Sequence, residues 1–172
     1  MISSFNKISV IGLGLIGTSI LHAIKVKFEK KVITFAYDIK PQHRRIVSEL
    51  GIATFVLNNI QDAVKEAELV ILAIPVGSME SVAKLIAPHL KENTLVTDTG
   101  STKASVLKDV NPNLPKNVFF IPSHPIAGTE YSGPKSGFSS LFENRYWLIV
   151  SEFKTENTTK LFEFFTDMGS KV

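Results

Sequence analysis

The sequence contains no cysteine. This absence excludes a disulfide framework and thiolate metal sites, and we expect no metal site in this chain. The sequence also lacks a large excess of one charge, because the net charge is +3 and no basic run is longer than the pair Arg44-Arg45. Such a distribution gives no indication of nucleic-acid binding. No apolar run approaches the roughly 20 residues of a membrane-spanning helix.

The remaining composition is typical of a globular soluble protein, with 44% hydrophobic and 20% charged residues. Glycines at positions 12, 14 and 17 interrupt the N-terminal apolar run, which also lacks the basic start and cleavage site of a signal peptide. We therefore expect a cytoplasmic protein. A chain of 172 residues can bury a core as one domain, and no repeat or linker divides it.

Short apolar runs alternate with stretches of helical periodicity along the chain. Strands are predicted at residues 7–11, 32–37, 54–56, 69–74, 94–97, 117–122 and 146–150. Helices are predicted from residue 16 to the high twenties and at 41–50, 60–67, 78–90, 102–110 and 156–168. The pattern predicts an α/β fold with a doubly wound, mostly parallel sheet and helices on both faces. Apolar residues cover a wide arc of the last helix, which we interpret as core rather than as a cover for a partner surface.

A glycine-rich turn joins the first predicted strand to the first helix. It reads Gly12-Leu13-Gly14-Leu15-Ile16-Gly17, a G-x-G-x-x-G motif. In this context the first glycine permits the turn, the second admits a pyrophosphate and the third lets helix and strand pack closely. The motif predicts a Rossmann-type dinucleotide site that includes Leu15 and Ile16 at the helix N-terminus. The alternative is a glycine-rich turn that binds no ligand.

Asp38 ends the second predicted strand, 21 residues after Gly17. A carboxylate at this distance is placed to meet the adenosine ribose hydroxyls. It would repel a 2′-phosphate, so NAD is favoured over NADP. Arg44 and Arg45 offer an alternative phosphate site, although a solvated helix face is the favoured interpretation of both.

A second polar segment, His124-Pro125-Ile126-Ala127-Gly128-Thr129-Glu130, follows the apolar run 117–122. We predict a tight loop here, which places His124 near the carboxyl end of a strand, where ligands bind in open α/β sheets. An imidazole in that position is a candidate proton acceptor. A lone histidine is more often an ordinary surface or hydrogen-bonded residue.

A third segment, Asp98-Thr99-Gly100-Ser101-Thr102-Lys103, runs from a predicted strand into a helix. Ser101 or Thr102 is expected to cap that helix, and Ser101 is equally suited to present its hydroxyl to the cofactor crevice. Lys103 is interpreted as a solvated residue of the first turn.

These three motifs, in this order and spacing, resemble those of the prephenate and arogenate dehydrogenases of tyrosine biosynthesis. The resemblance covers essentially the whole chain but only the nucleotide-binding half of the family's fold. It implies a helical domain beyond residue 172 that forms a homodimer and supplies a substrate-binding arginine, so we expect that 1–172 is a truncated dinucleotide-binding domain. Thr18 and Thr102 stand where the family commonly has glycine and valine.

The resemblance also implies an activity, the NAD-dependent oxidative decarboxylation of prephenate to 4-hydroxyphenylpyruvate. His124 would be the base or hydrogen-bond partner of the substrate hydroxyl, and Ser101 would orient His124 or the nicotinamide. Thr129 and Glu130 would lie near the substrate, and Ile74-Pro75 would line the ribose or nicotinamide side.

Three alternatives stay open at this stage. The first is an arogenate dehydrogenase, which the sequence does not separate from a prephenate enzyme. The second is a dehydrogenase of the β-hydroxyacid type, against which the His124 segment argues. The third is a regulatory NAD-binding module without catalysis.

Overall fold

The computed structural model describes residues 3–172, with every side chain in that range except that of Lys30. The strands are β1 (Lys7–Ile11), β2 (Ile33–Tyr37), β3 (Phe55–Val56), β4 (Leu69–Leu72), β5 (Leu95–Asp98), β6 (Phe119–Phe120), β7 (Ser123–Pro125) and β8 (Trp147–Ile149). The helices are α1 (Leu15–Phe28), α2 (Pro41–Leu50), α3 (Ile60–Val64), α4 (Met79–Ile86), α5 (Lys103–Val110) and α6 (Glu156–Asp167). Each strand and helix predicted from the sequence is present, most of them shorter than predicted.

Six strands form one parallel sheet in the order β3-β2-β1-β4-β5-β6. The first strand therefore lies inside the sheet, and the chain builds outward from it in both directions. This confirms the predicted doubly wound fold. The strand order reverses between β1 and β4, and in such sheets ligands bind at the carboxyl edge beside that reversal.

Apolar side chains cover both faces of the sheet. All four residues of β4 are buried, as expected for a strand with helices on both sides. One cluster joins the sheet to α1 and α6, and the other joins it to α3, α4 and α5. On α6, Leu161, Phe164 and Phe165 are fully buried, whereas Phe162 is 48% exposed. The core interpretation of this helix is thus correct for the face that contains those three residues.

His124 lies in a strand, so the predicted loop begins later than expected. β7 pairs antiparallel with β8, and His124 is opposite Leu148. The backbone N–H of Ile126 donates to Tyr146 O at 2.8 Å, which makes Pro125 part of a non-hydrogen-bonded pair with Trp147. A proline is tolerated there because its missing N–H has no partner to lose.

None of the helices formed by residues 3–172 has the length and apolar character needed to cross a membrane.

Candidate active site

Two of the three motif glycines are required by packing. Gly12 has φ +95°, and a Cβ there would lie 2.2 Å from the carbonyl oxygen of Ala73. A Cβ at Gly17 would lie 1.9 Å from the carbonyl oxygen of Gly12. At Gly14, by contrast, a Cβ would meet nothing within 4 Å. The first and third glycines therefore let β1, β4 and α1 approach one another, and the second faces open space.

The start of α1 fits the phosphates of a dinucleotide. Gly14 is its N-cap residue and supplies no side-chain hydrogen bond to the first turn. The N–H groups at a helix start, here including those of Leu15 and Ile16, have no intrahelical partner and attract anions. Because Gly14 leaves open space beside this turn, a pyrophosphate has both the room and the hydrogen-bond donors it needs.

Asp38 follows β2 and is 8% exposed. Its Oδ2 accepts a 2.7 Å hydrogen bond from the N–H of Leu13 and lies 3.0 Å from His43 Nδ1. Its Oδ1 accepts a 2.8 Å hydrogen bond from the N–H of Lys40. A carboxylate has about four lone-pair positions, so Asp38 retains capacity for a ribose hydroxyl while it holds the glycine turn.

The two arginines near Asp38 differ. Arg44 donates to the backbone carbonyl oxygen of Asp38 at 2.7 Å and lies over the Tyr37 ring, 5.7 Å from its centroid. Its guanidinium is therefore engaged, and the prediction of a solvated side chain is wrong for Arg44. Arg45 is exposed, as predicted.

A cavity of about 320 Å³ lies at the carboxyl edge of the sheet, between the ends of β1, β2 and β4. Five predicted cofactor residues line it, together with His43: Gly12, Gly14, Asp38, Ile74 and Pro75. Leu15, Ile16, Gly17 and Ser101 do not line it. Cavities of about 580 and 490 Å³ lie elsewhere and contain none of the predicted site residues.

The His124 imidazole is half-buried and fixed from one side. Its Nδ1 lies 2.9 Å from the carbonyl oxygen of Thr99, in the turn after β5. A carbonyl oxygen only accepts, so Nδ1 carries a proton, and in the neutral imidazole the lone pair is therefore on Nε2. A base with a fixed tautomer is the arrangement that proton abstraction requires.

A buried ion pair lies beneath the imidazole. Asp98 is completely buried, accepts hydrogen bonds from the N–H groups of Gly100 at 2.7 Å and Ser123 at 3.1 Å, and pairs with Lys103. Lys103 also donates to the carbonyl oxygen of Ser123, next to His124. Burial lowers the pKa of Lys103, and the Asp98 carboxylate opposes that shift. The prediction that Lys103 is solvated is therefore wrong.

Ser123 connects this pair to β8. Its hydroxyl donates to the backbone carbonyl oxygen of Asp98 at 2.7 Å, and Trp147 Nε1 donates to that hydroxyl at 3.0 Å. Our sequence reasoning missed Ser123, Thr99 and His43. One signal was present, because a carboxylate that directly continues the predicted strand 94–97 needs a buried partner.

The other predicted site residues occupy exposed positions. Ser101 makes no hydrogen bond within residues 3–172, and the N-cap of α5 is Thr102, without a side-chain hydrogen bond. The expectation that Ser101 or Thr102 is the N-cap residue is therefore confirmed for Thr102, although its side chain does not make the capping hydrogen bond. The hydrogen-bond partner of the His124 imidazole is the turn residue Thr99. Thr129 and Glu130 follow β7, where Thr129 Oγ1 accepts a 3.2 Å hydrogen bond from the N–H of Tyr131.

Three of the segments described above lie at the ends of neighbouring strands. The glycine turn follows β1, Ile74-Pro75 comes after β4, and the turn that contains Thr99 and Ser101 follows β5. With the reversal of strand order and the room beside Gly14, these features define a dinucleotide-binding domain. More particularly, the chain belongs to the family described as prephenate dehydrogenase, nucleotide-binding domain, whose profile matches residues 22–172. The family resemblance inferred from the motifs is thereby confirmed.

Similar proteins agree with this assignment. A cyclohexadienyl dehydrogenase of Zymomonas mobilis is 38% identical over 170 residues, which are 98% of this chain and 57% of that protein. A prephenate dehydrogenase of Aquifex aeolicus, solved with hydroxyphenyl propionate and NAD+, has a TM-score of 0.86 and 27% identity over 97% of this chain and 58% of its own. The arogenate dehydrogenase of Synechocystis shares the fold, with a TM-score of 0.86 and 23% identity over 96% of this chain and 58% of its own. The chain thus spans somewhat more than half the length of these proteins.

Proposed function

We propose that the protein is an NAD-dependent prephenate dehydrogenase, in which this chain provides the cofactor domain and the catalytic base. The hydrogen bond from His124 Nδ1 to the Thr99 carbonyl carries the proposal. It leaves the Nε2 lone pair free to accept the proton of the substrate hydroxyl. Relatives by sequence include enzymes named for prephenate and for arogenate, and so do the solved structures that share the fold over 96 to 97% of the chain.

The reaction removes a hydride from the carbinol carbon of prephenate and a proton from its hydroxyl. NAD, held at the glycine turn, would supply the hydride acceptor, and loss of the ring carboxylate as carbon dioxide would then give the aromatic ring of 4-hydroxyphenylpyruvate. His124 Nε2 accepts the hydroxyl proton as the carbonyl develops. Because decarboxylation follows from the oxidation, the protein must mainly hold the reacting carbon near the cofactor and provide this base.

The remaining predicted residues take supporting roles in this proposal. The N–H groups of Leu15 and Ile16 hold the pyrophosphate, and Asp38 accepts from the adenosine ribose. Ile74 and Pro75 line the ribose or nicotinamide side. Ser101, exposed beside the Thr99 turn, contacts the nicotinamide or the substrate.

Two further residues of this chain are candidates for contact with the substrate. Thr129 and Glu130 are exposed after β7 and face the substrate in our proposal. In this proposal the groups that bind the substrate carboxylates belong to the helical domain that the family resemblance implies, and the native protein forms a homodimer through that domain. We expect the native enzyme to be cytoplasmic.

Replacing His124 with Asn tests the base. Asparagine can still donate to the Thr99 carbonyl, but its amide does not accept a proton near neutral pH. When His124→Asn is made in the native protein, we expect its kcat with NAD and prephenate to fall about 10² to 10⁴-fold. The dissociation constant of NAD should change less than about 3-fold, because His124 does not line the cavity formed by the glycine turn and Asp38.

His89→Asn is the matched control, since His89 is exposed in the short turn after α4 and does not line the cavity at the glycine turn. It should leave kcat and the NAD dissociation constant unchanged. A His124→Asn enzyme with the kinetics of the control would contradict the proposal. Assays of the unaltered enzyme with arogenate in place of prephenate, and NADP in place of NAD, decide which substrate and cofactor it prefers.

A further inference from the structure

The segment from Thr129 to Phe138, which we call the docking segment, leaves β7 and returns to α1. Part of its structure is internal, since Ser136 Oγ donates to the carbonyl oxygen of Ser132 at 2.9 Å. At its far end the N–H of Phe138 donates to Ser19 Oγ on α1 at 3.2 Å. The segment that begins with the proposed substrate residues is thus attached to the helix that receives the cofactor phosphates.

Gly137 makes the closest contact in this attachment. A Cβ at Gly137 would lie 2.2 Å from Thr18 Oγ1 and 2.8 Å from Thr18 Cβ. Real Cβ atoms do not approach other atoms so closely, so a larger residue at this position must displace something. Thr18 and Ser19 are completely buried, and α1 is anchored in the core. The docking segment, most of which is partly or fully exposed, is the part that would move.

Thr18 also contacts the glycine turn. Its Oγ1 donates to the carbonyl oxygen of Gly14 at 2.6 Å. Contacts therefore run without a gap from Gly137 through Thr18 to the turn that faces the pyrophosphate. Thr18 is one of the two positions at which the sequence departs from the family pattern, and its side chain occupies the space that Gly137 leaves.

We propose that Gly137 is a positioning residue, whose contact with Thr18 sets Thr129 and Glu130 relative to the dinucleotide bound at the glycine turn. The proposal rests on the proposed function only in assigning Thr129 and Glu130 to the substrate. Its structural part, the coupling of the docking segment to the cofactor site, does not depend on which substrate the enzyme takes.

The test uses Gly137→Ala, Thr18→Gly and the double variant of the native protein. Gly137→Ala should displace the docking segment and lower kcat/KM for prephenate about 10 to 100-fold, the size expected for a misplacement of about 1 Å. The NAD dissociation constant should change less than about 3-fold, because the helix stays in place. In the double variant the two shortest contacts vanish, leaving one of 3.0 Å to Ser19 N, so at least half of the loss in log kcat/KM should be recovered.

Hydrogen exchange provides a readout that does not need turnover. In the unaltered protein, NAD should slow exchange of the amides between Thr129 and Phe138. In Gly137→Ala these amides should exchange faster, and NAD should no longer protect them. The double variant should regain protection.

Three outcomes would overturn the proposal: unchanged kinetics and exchange in Gly137→Ala, a parallel loss of NAD affinity, or no recovery in the double variant. Failure of the proposed function has a different signature. An unaltered protein that binds NAD but oxidises neither prephenate nor arogenate would refute that function, while the exchange measurements would still decide whether Gly137 couples the segment to the cofactor site.

Discussion

Replacing Lys103 with Met removes one partner of the buried ion pair beneath His124. The Asp98 carboxylate is completely buried, so its charge would remain in the interior with only the N–H groups of Gly100 and Ser123 as partners. Methionine keeps most of the volume of the lysine stem, so the substitution tests the charge rather than the packing.

The expected cost follows from the burial of the two groups. Removing one partner of a buried ion pair typically destabilises a protein by about 3 to 5 kcal/mol. Here the Lys103 side chain is 18% exposed, so water can reach part of the vacated space, and two N–H donors remain on the carboxylate. We therefore expect the lower end, about 3 kcal/mol. In a protein of this size that corresponds to a decrease in Tm of about 6 to 12 °C.

Urea denaturation of the 172-residue chain measures this loss. Lys108→Met is the matched control, because Lys108 lies on the same helix and is exposed, and its free energy of unfolding should change by no more than about 0.5 kcal/mol. Adding Asp98→Asn to Lys103→Met removes the stranded charge and should recover part of the loss. If Lys103→Met is as stable as Lys108→Met, the ion pair does not stabilise the site and our reasoning fails.

Further predictions concern three other side chains. Asp38→Ser should weaken dinucleotide binding and reduce the preference for NAD over NADP. The ratio of the dissociation constants of NAD and NADP measures that preference, because loss of the hydrogen bond to Leu13 affects the binding of both cofactors equally. An unchanged ratio would mean that Asp38 does not contact the ribose. Ser9→Ala should raise the free energy of unfolding by about 1 kcal/mol, because the Ser9 hydroxyl is buried without a hydrogen-bond partner among the described residues. Ser123→Ala should lower it by about 1 to 3 kcal/mol by stranding Trp147 Nε1, and calorimetry of both serine variants would show opposite shifts in Tm.

The sequence predicted the dinucleotide turn well because its requirements are local. Gly12 needs a positive φ and Gly17 packs against the carbonyl oxygen of Gly12, and both requirements arise within one strand, turn and helix. The close contact of Gly12 with Ala73, after β4, is the part that the motif alone does not show. Asp38 was equally accessible, since its distance from the motif is fixed by one β-α-β unit. What the sequence did not show is that the same carboxylate holds the turn through the Leu13 N–H.

The surroundings of His124 were predicted less well, because they depend on contacts between distant segments. Pro125 is typical of a loop in isolation, yet it lies in a strand at a position where no N–H is needed. The partner of the imidazole, Thr99, is 25 residues away and contributes a backbone carbonyl, which leaves no trace in residue type. Lys103 was misassigned for a different reason: a first-turn lysine is usually solvated, and its contact with Asp98, only five residues away, depends on how the turn between β5 and α5 folds.

The position of the base depends on one buried carboxylate. Asp98 accepts from the N–H of Gly100, the residue after Thr99, and from the N–H of Ser123, the residue before His124. The imidazole and the carbonyl that orients it are therefore each one residue away from a hydrogen bond to the same side chain. A change at Asp98 would therefore move the imidazole, the Thr99 carbonyl or both of them. Because Lys103 compensates the buried charge of Asp98, Lys103 also stabilises the geometry in which Nδ1 of His124 is bound and Nε2 is available.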